Sequence, residues 1–152
     1  MKLSKDFNVR EFLFSETAAR LGREIHASAE IVSSLGLLCH EILQPLRDAI
    51  ATPIIITSGY RPSWLNKIIG GSINSQHIFG LAADCKAVGM SPKQLCEKVV
   101  EMNLRYDQVI LEFDKWMHVS IPGDAPARQQ VLTARYENQR TIYYPGLIEK
   151  RI

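Results

Sequence analysis

Three side chains in this sequence combine types and positions that could hold a metal ion: His77, Asp84 and His118. Imidazole nitrogen and carboxylate oxygen are good donors to zinc, and a catalytic zinc takes three protein ligands while keeping a fourth position for water. His77 and Asp84 lie seven residues apart across Ile78-Phe79-Gly80-Leu81-Ala82-Ala83, where the small Gly80, Ala82 and Ala83 let backbone or substrate come close. Asp84 ends an otherwise apolar run, a costly place for a carboxylate unless it is paired or bound to metal. His118 enters through strand parity. In Gln108 to Phe113 and again in Trp116 to Ile121 every odd position is apolar, so two strands that pack their odd faces on a core bring Glu112, His118 and Ser120 to the opposite face. A hairpin with the three-residue loop Asp114-Lys115-Trp116 sets Glu112 directly opposite His118, with Cβ atoms roughly 4.5–5.5 Å apart. A metal ligand beside a carboxylate is what metal-assisted hydrolysis needs, one group to hold the ion and one to take a proton.

Each residue also has an ordinary reading. A histidine on a strand is commonly a hydrogen-bonded structural residue. Glu112 suits a solvated strand position, and Asp84 suits the cap of a turn. Arg61, in the turn Ser58-Gly59-Tyr60-Arg61-Pro62, has a planar fork suited to a carboxylate or a developing oxyanion, but it also reads as a surface arginine braced on Tyr60. His26 and His40 have no such company and are read as surface or helix-face residues.

The elements that position these groups follow from hydrophobic spacing. A short helix begins after Ser15. From Ser28 to about Ile50 the apolar residues Ile31, Leu35, Leu38, Ile42, Leu46 and Ala49 recur at three- and four-residue steps, which predicts one amphipathic helix with a kink or break near Gln44, ahead of Pro45. Ile54 to Thr57 is a β-branched run that reads as a buried strand. A short helix over Trp64 to Ile69, a strand over Gly80 to Asp84, and a helix opened by Ser91-Pro92 come next. The tail from about residue 122 is polar, with one β-like stretch at Thr141 to Tyr144. The expected class is α+β, a small antiparallel sheet carrying the metal site with helices packed on one side, in one domain over 1–152.

The stretches ITSGYRPSWLNKIIGGSINSQHIFGLAAD and YDQVILEFDKWMHVSI resemble the zinc D-alanyl-D-alanine carboxypeptidase family, in the small branch common among phage lysis enzymes. SETAARLG and LQPLRDAI are similar to that branch too, so the resemblance runs from about Phe7 to Ile121. The S-x-H-x-x-G-x-A-x-D pattern is matched by Ser75, His77, Gly80, Ala82 and Asp84, and W-x-H by Trp116 and His118. The resemblance implies one zinc ion on His77, Asp84 and His118. It further implies that Arg61 stabilises the intermediate or holds substrate, and that Ser75 and Gln76, with Tyr60, line the substrate pocket. The implied activity is hydrolysis of peptidoglycan stem peptides, of D-Ala-D-Ala carboxypeptidase or L-Ala-D-Glu endopeptidase type. One position departs from the family pattern. Many members carry the catalytic acid three residues before the last histidine, where this chain has Lys115. Parity nominates Glu112 in its place, with Asp114 second. The alternative that Lys115 favours is a zinc-containing wall-binding or virion-associated module without catalysis.

Composition excludes other classes. Among 152 residues, 46% are hydrophobic and 22% charged, so one core can be buried, and a net charge of +2 gives no footprint for nucleic acid. No apolar run approaches the roughly 18 residues of a membrane span. The N-terminus, broken by Arg10, Glu11 and Glu16, lacks the apolar stretch of a secretory signal, so synthesis in the cytoplasm is expected, with action on the wall after release by another route. The expected partner is peptidoglycan peptide alone, and the expected state is a monomer. Cys39, Cys85 and Cys96 have no C-x-x-C spacing and read as core thiols, Cys85 because its neighbour Asp84 must face the other way.

Overall fold

The structure is a computed structural model describing residues 1–149. It is α+β. Helices α1 (Glu16–Arg20), α2 (Ala29–Leu38) and α3 (Gln44–Ile50) precede strand β1 (Ile54–Ser58). Helix α4 (Ser63–Ile69), strand β2 (Ala82–Ala87) and helix α5 (Pro92–Glu101) follow. Strands β3 (Gln108–Glu112), β4 (Trp116–Ser120), β5 (Gln130–Glu137) and β6 (Arg140–Pro145) complete one six-stranded sheet of order β1-β2-β4-β3-β5-β6. Neighbouring strands are antiparallel except β3 and β5.

Local chemistry accounts for the helix ends. The Ser28 hydroxyl accepts from the Ile31 amide. At α5, Ser91 and Gln94 form a reciprocal capping box and Pro92 occupies the first turn, where its missing N–H leaves no donor unpaired. Between α2 and α3 the chain does not break before Pro45. It runs through a single π-type turn, Cys39–Leu43, in which the Gln44 amide reaches back to the Cys39 carbonyl, so the helix absorbs the proline by widening one turn.

The core lies between the helices and one face of the sheet. Val109 and Leu111 of β3, Met117 and Val119 of β4, and Ala83 and Cys85 of β2 pack there against Leu35, Leu38, Leu46 and Leu95. The parity reading is thus correct: odd positions of β3 and β4 face the core, and Glu112 and His118 face away. All three cysteines are buried free thiols. Among the described residues, no helix is long and apolar enough to cross a membrane.

Three expectations need correction. The strand expected at Gly80 to Asp84 lies at Ala82–Ala87, because Gly80 takes φ +70° to end a preceding 3-10 turn, Gln76–Phe79. The hairpin loop is Phe113-Asp114-Lys115 and not Asp114-Lys115-Trp116, so Glu112 pairs with Trp116 and His118 pairs with Ile110, a slip of two that keeps the shared face. The tail holds two strands where one β-like stretch was expected, and the sheet is accordingly wider and not wholly antiparallel.

Candidate metal centre and its cleft

His77 sits in the Gln76–Phe79 turn, which the Ser75 hydroxyl caps by accepting from the His77 amide at 3.2 Å. The turn is pinned from two sides. A Cβ on Gly80 would come within 3.1 Å of the Ile31 carbonyl oxygen, so α2 presses directly on the turn. The Arg61 amide donates to the His77 carbonyl at 3.0 Å. The His77 ring is fixed by its Nδ1–H, which donates to the Gly59 carbonyl at 2.8 Å. A carbonyl can only accept, so Nδ1 carries the proton and Nε2 keeps its lone pair. Gly59 is itself held against the N-terminal segment: the Tyr60 amide donates to the Phe12 carbonyl, and any Cβ on Gly59 would lie 2.5 Å from the Phe12 Cα.

Asp84 and His118 are direct partners across the β2–β4 ladder and point to the same face. His77 Nε2 lies 3.2 Å from His118 Nδ1 and 3.3 Å from Asp84 Oδ1, and His118 Nδ1 lies 3.0 Å from that same oxygen. A tetrahedral zinc with bonds of about 2.0–2.1 Å sets its ligand atoms roughly 3.3 Å apart, so the three donors already stand near the edges of such a polyhedron. They are 1%, 8% and 8% exposed for His77, Asp84 and His118, so the set is almost wholly buried and meets solvent only through the cleft it lines. One lone pair of His77 thus faces a carboxylate and a second ring, an arrangement that calls for positive charge between them. The hydrogen bond from His77 Nδ1 to a backbone carbonyl is the kind of support that orients a ligating histidine.

Electrostatics agree. Burial holds the His77 ring below the usual histidine range, although Asp84 pulls the other way. Burial opposes ionisation of Asp84, but its interactions with the His77 and His118 rings more than offset it and keep the carboxyl below its ordinary range. His118 is raised: burial disfavours its proton, yet the hydrogen bond and charge of Asp84 win. Residues 5–120 match the family model described as Peptidase M15. The chain belongs to the peptidase M15 family. A comparison with curated proteins finds no match.

M15 peptidases depend on a metal, and the His77, Asp84 and His118 set in this M15 peptidase can bind one. Around the three donors opens a cleft of about 720 Å³, within the range that holds a peptide of a few residues. Arg61, Ser75, Gln76 and Glu112 all line it. Glu112 is the carboxylate nearest the donors: its Oε1 is 3.7 Å from His118 Nδ1, and its Oε2 accepts from the Trp116 indole N–H at 3.1 Å. Burial first, and then the charge of Asp84, push its carboxyl up to about 7. Arg61 brings a guanidinium whose Nε is buried without a partner. Two sequence candidates lie elsewhere. Asp114 occupies the β3–β4 turn at φ +56° and is not in the cleft wall, and Tyr60 packs against the apolar cores on either side of it. Lys115 is exposed in the same turn.

The sequence reading missed the far wall. Gln108, Ile110, Arg128, Leu132, Thr141 and Tyr143 also line the cleft, and the last four lie beyond the segment matched to M15. Tyr143 shares a face with Glu112 through the small Ala134, its partner on β5, which is in turn the partner of Glu112 on β3. A signal for this hairpin was present in Asn138-Gln139, two residues between β-prone runs, both with positive φ as a tight hairpin turn requires.

Proposed function

We propose that this M15 peptidase is a zinc enzyme that hydrolyses peptidoglycan stem peptides, of D-Ala-D-Ala carboxypeptidase or L-Ala-D-Glu endopeptidase type, with His77, Asp84 and His118 as the ligands of one ion. The observation that carries the reading is the Glu112 carboxylate, set beside three converged donors in a peptide-sized cleft. A bound zinc polarises a carbonyl and makes water acidic enough to deprotonate near neutral pH. With the ion held by His77, Asp84 and His118, Glu112 would be the group placed to accept a proton on Oε1 and to give it to the leaving amine, while the Trp116 indole holds Oε2 in place. Arg61, in the cleft wall, supplies a positive charge for the substrate oxyanion, and Ser75 and Gln76 shape the substrate side of the cleft.

Lys115, which stood for a module without catalysis, does not leave the site short of a base, because Glu112 reaches it from the neighbouring strand. The test is Glu112→Gln. The variant retains one zinc per chain by elemental analysis, and its cleavage of peptidoglycan fragments falls by about 10²- to 10⁴-fold, read by mass spectrometry. A Glu112→Gln protein that cuts at full rate refutes the assignment. A wild-type protein that holds zinc and cuts nothing turns the reading to the wall-binding module. Product masses name the bond.

A further inference from the structure

Past the three donors the cleft runs toward the start of β3, and the charged group lining it there is Arg128, outside the segment matched to the family. Arg128 is anchored on Asp107, a residue only 4% exposed. The Arg128 amide donates to Asp107 Oδ1 at 2.9 Å, its Nε lies 3.2 and 3.1 Å from the two carboxylate oxygens, and its Nη2 donates to Oδ2 at 2.6 Å. Gln76 Nε2 donates to the same Oδ2 at 3.0 Å and to the Ile121 carbonyl at 3.1 Å.

A guanidinium has five N–H donors in a rigid plane. Asp107 takes the side edge formed by Nε and Nη2. Among the described residues none bonds the end edge, with its two parallel N–H groups on Nη1 and Nη2, and the side chain is 54% exposed where it borders the cleft. Parallel N–H pairs match both oxygens of a carboxylate. Beside it, Gln76 has both amide hydrogens engaged, one on Asp107 and one on the Ile121 carbonyl, so it braces the carboxylate that holds Arg128. A bracket that served only to tie the 122–130 segment to the sheet accounts for the Asp107 contacts but not for a half-exposed cationic fork on the cleft wall.

We propose that Arg128 is a specificity-determining residue that binds a free carboxylate of the peptide substrate about three residues from the bond that is cut. This rests on the peptidase reading above. The spacing follows from the sheet. Asp107, which anchors Arg128, is three positions along the chain from Ile110, the partner of His118, and three extended residues span about 10 Å, the advance of about three residues of substrate. Asp107 offsets much of the Arg128 charge, so the preference comes from the paired N–H geometry and not from long-range attraction.

The test uses the zinc-loaded protein and three synthetic stem peptides: one with every carboxylate free, one with its internal acid as the amide, and one with its C-terminus as the amide. Wild type is expected to cut the free peptide about tenfold better in kcat/KM than one of the amides, chiefly through KM, the size of a lost charge-assisted hydrogen bond. Arg128→Gln brings that pair to within about twofold, and Arg128→Lys, with charge but no fork, falls between. Which amide is disfavoured says whether the carboxylate is internal or terminal. The comparison is a ratio within one protein, so a variant that is partly unfolded still reports it. Equal cleavage of all three by wild type, or full discrimination retained by Arg128→Gln, overturns the assignment while leaving the peptidase reading standing. Failure of wild type to cut any of them overturns both.

Discussion

Gly59→Ala should disable the metal centre from a residue that touches no metal. A Cβ at this position would lie 2.5 Å from the Phe12 Cα, 2.6 Å from its carbonyl oxygen and 2.7 Å from its Cβ. Two of these three atoms are backbone, with no flexible end to swing aside. Reaching ordinary contact at 3.4 Å requires the two chains to part by roughly 0.9 Å, a form of overpacking that costs about 1–3 kcal/mol. Gly59 moves with that parting, its own carbonyl is the one that accepts from His77 Nδ1 at 2.8 Å, and a displacement of that size stretches the bond past hydrogen-bonding range. Losing such an outer partner of a ligating histidine typically lowers metal affinity by about 10- to 100-fold, equivalent to about 1.4–2.7 kcal/mol. The assay is zinc affinity by competition with a chromogenic chelator, on protein shown to be folded by circular dichroism, with thermal melting run with and without zinc. The expected outcome is weaker zinc binding and a smaller upward shift of Tm on adding zinc. A folded Gly59→Ala protein that binds zinc as tightly as wild type would refute the chain of contacts from Phe12 through Gly59 to His77.

Two further outcomes follow from burial and pairing. Burial alone would raise the Asp107 carboxyl, but its bonds from Arg128 hold it below the ordinary range, so the stability it contributes is present above its unfolded value of about 3.9 and is lost as pH falls through the lower folded value. Urea unfolding at stepped pH should therefore show wild type losing its advantage over Asp107→Asn below about pH 4, and a constant gap down to pH 2.5 would contradict the pairing. Burial pushes the Cys39 and Cys96 thiols up to about 12 and Cys85 well above its usual value, so a thiol reagent at pH 8 should label none in the native protein and all three in denaturant; fast native labelling of any one would count against the core described here.

The sites most legible in sequence were those governed by alternation. Odd positions of β3 and β4 are uniformly apolar, and that alone assigns Glu112 and His118 to one face. The register was not legible, because the turn that sets it places Phe113 and Asp114 at φ +58° and +56°. Phenylalanine gives no hint of a left-handed backbone, a conformation that Gly and Asn usually mark. β5 escaped for a different reason. Its core-side residues, Val131, Thr133 and Arg135, mix apolar and polar groups, as do Gln130, Leu132 and Tyr136 on the other face, so no period stands out. Arg128 escaped with it, since an arginine in a polar stretch gains meaning only from the buried Asp107 that the fold sets beneath it.

The separation of the donors along the chain bears on when an ion can arrive. His77 and Asp84 are near neighbours in sequence, but His118 is 41 residues from the first and 34 from the second. Neither helix nor hairpin joins the three; β2 must zip to β4, and the 3-10 turn must seat on α2, before they meet. An emerging polypeptide therefore offers only a two-toothed grip until its last tooth is synthesised and paired, and such a grip holds zinc weakly. On the proposed reading the cation is a late guest in a finished room, not a seed for folding, and the metal-free protein should keep its walls upright.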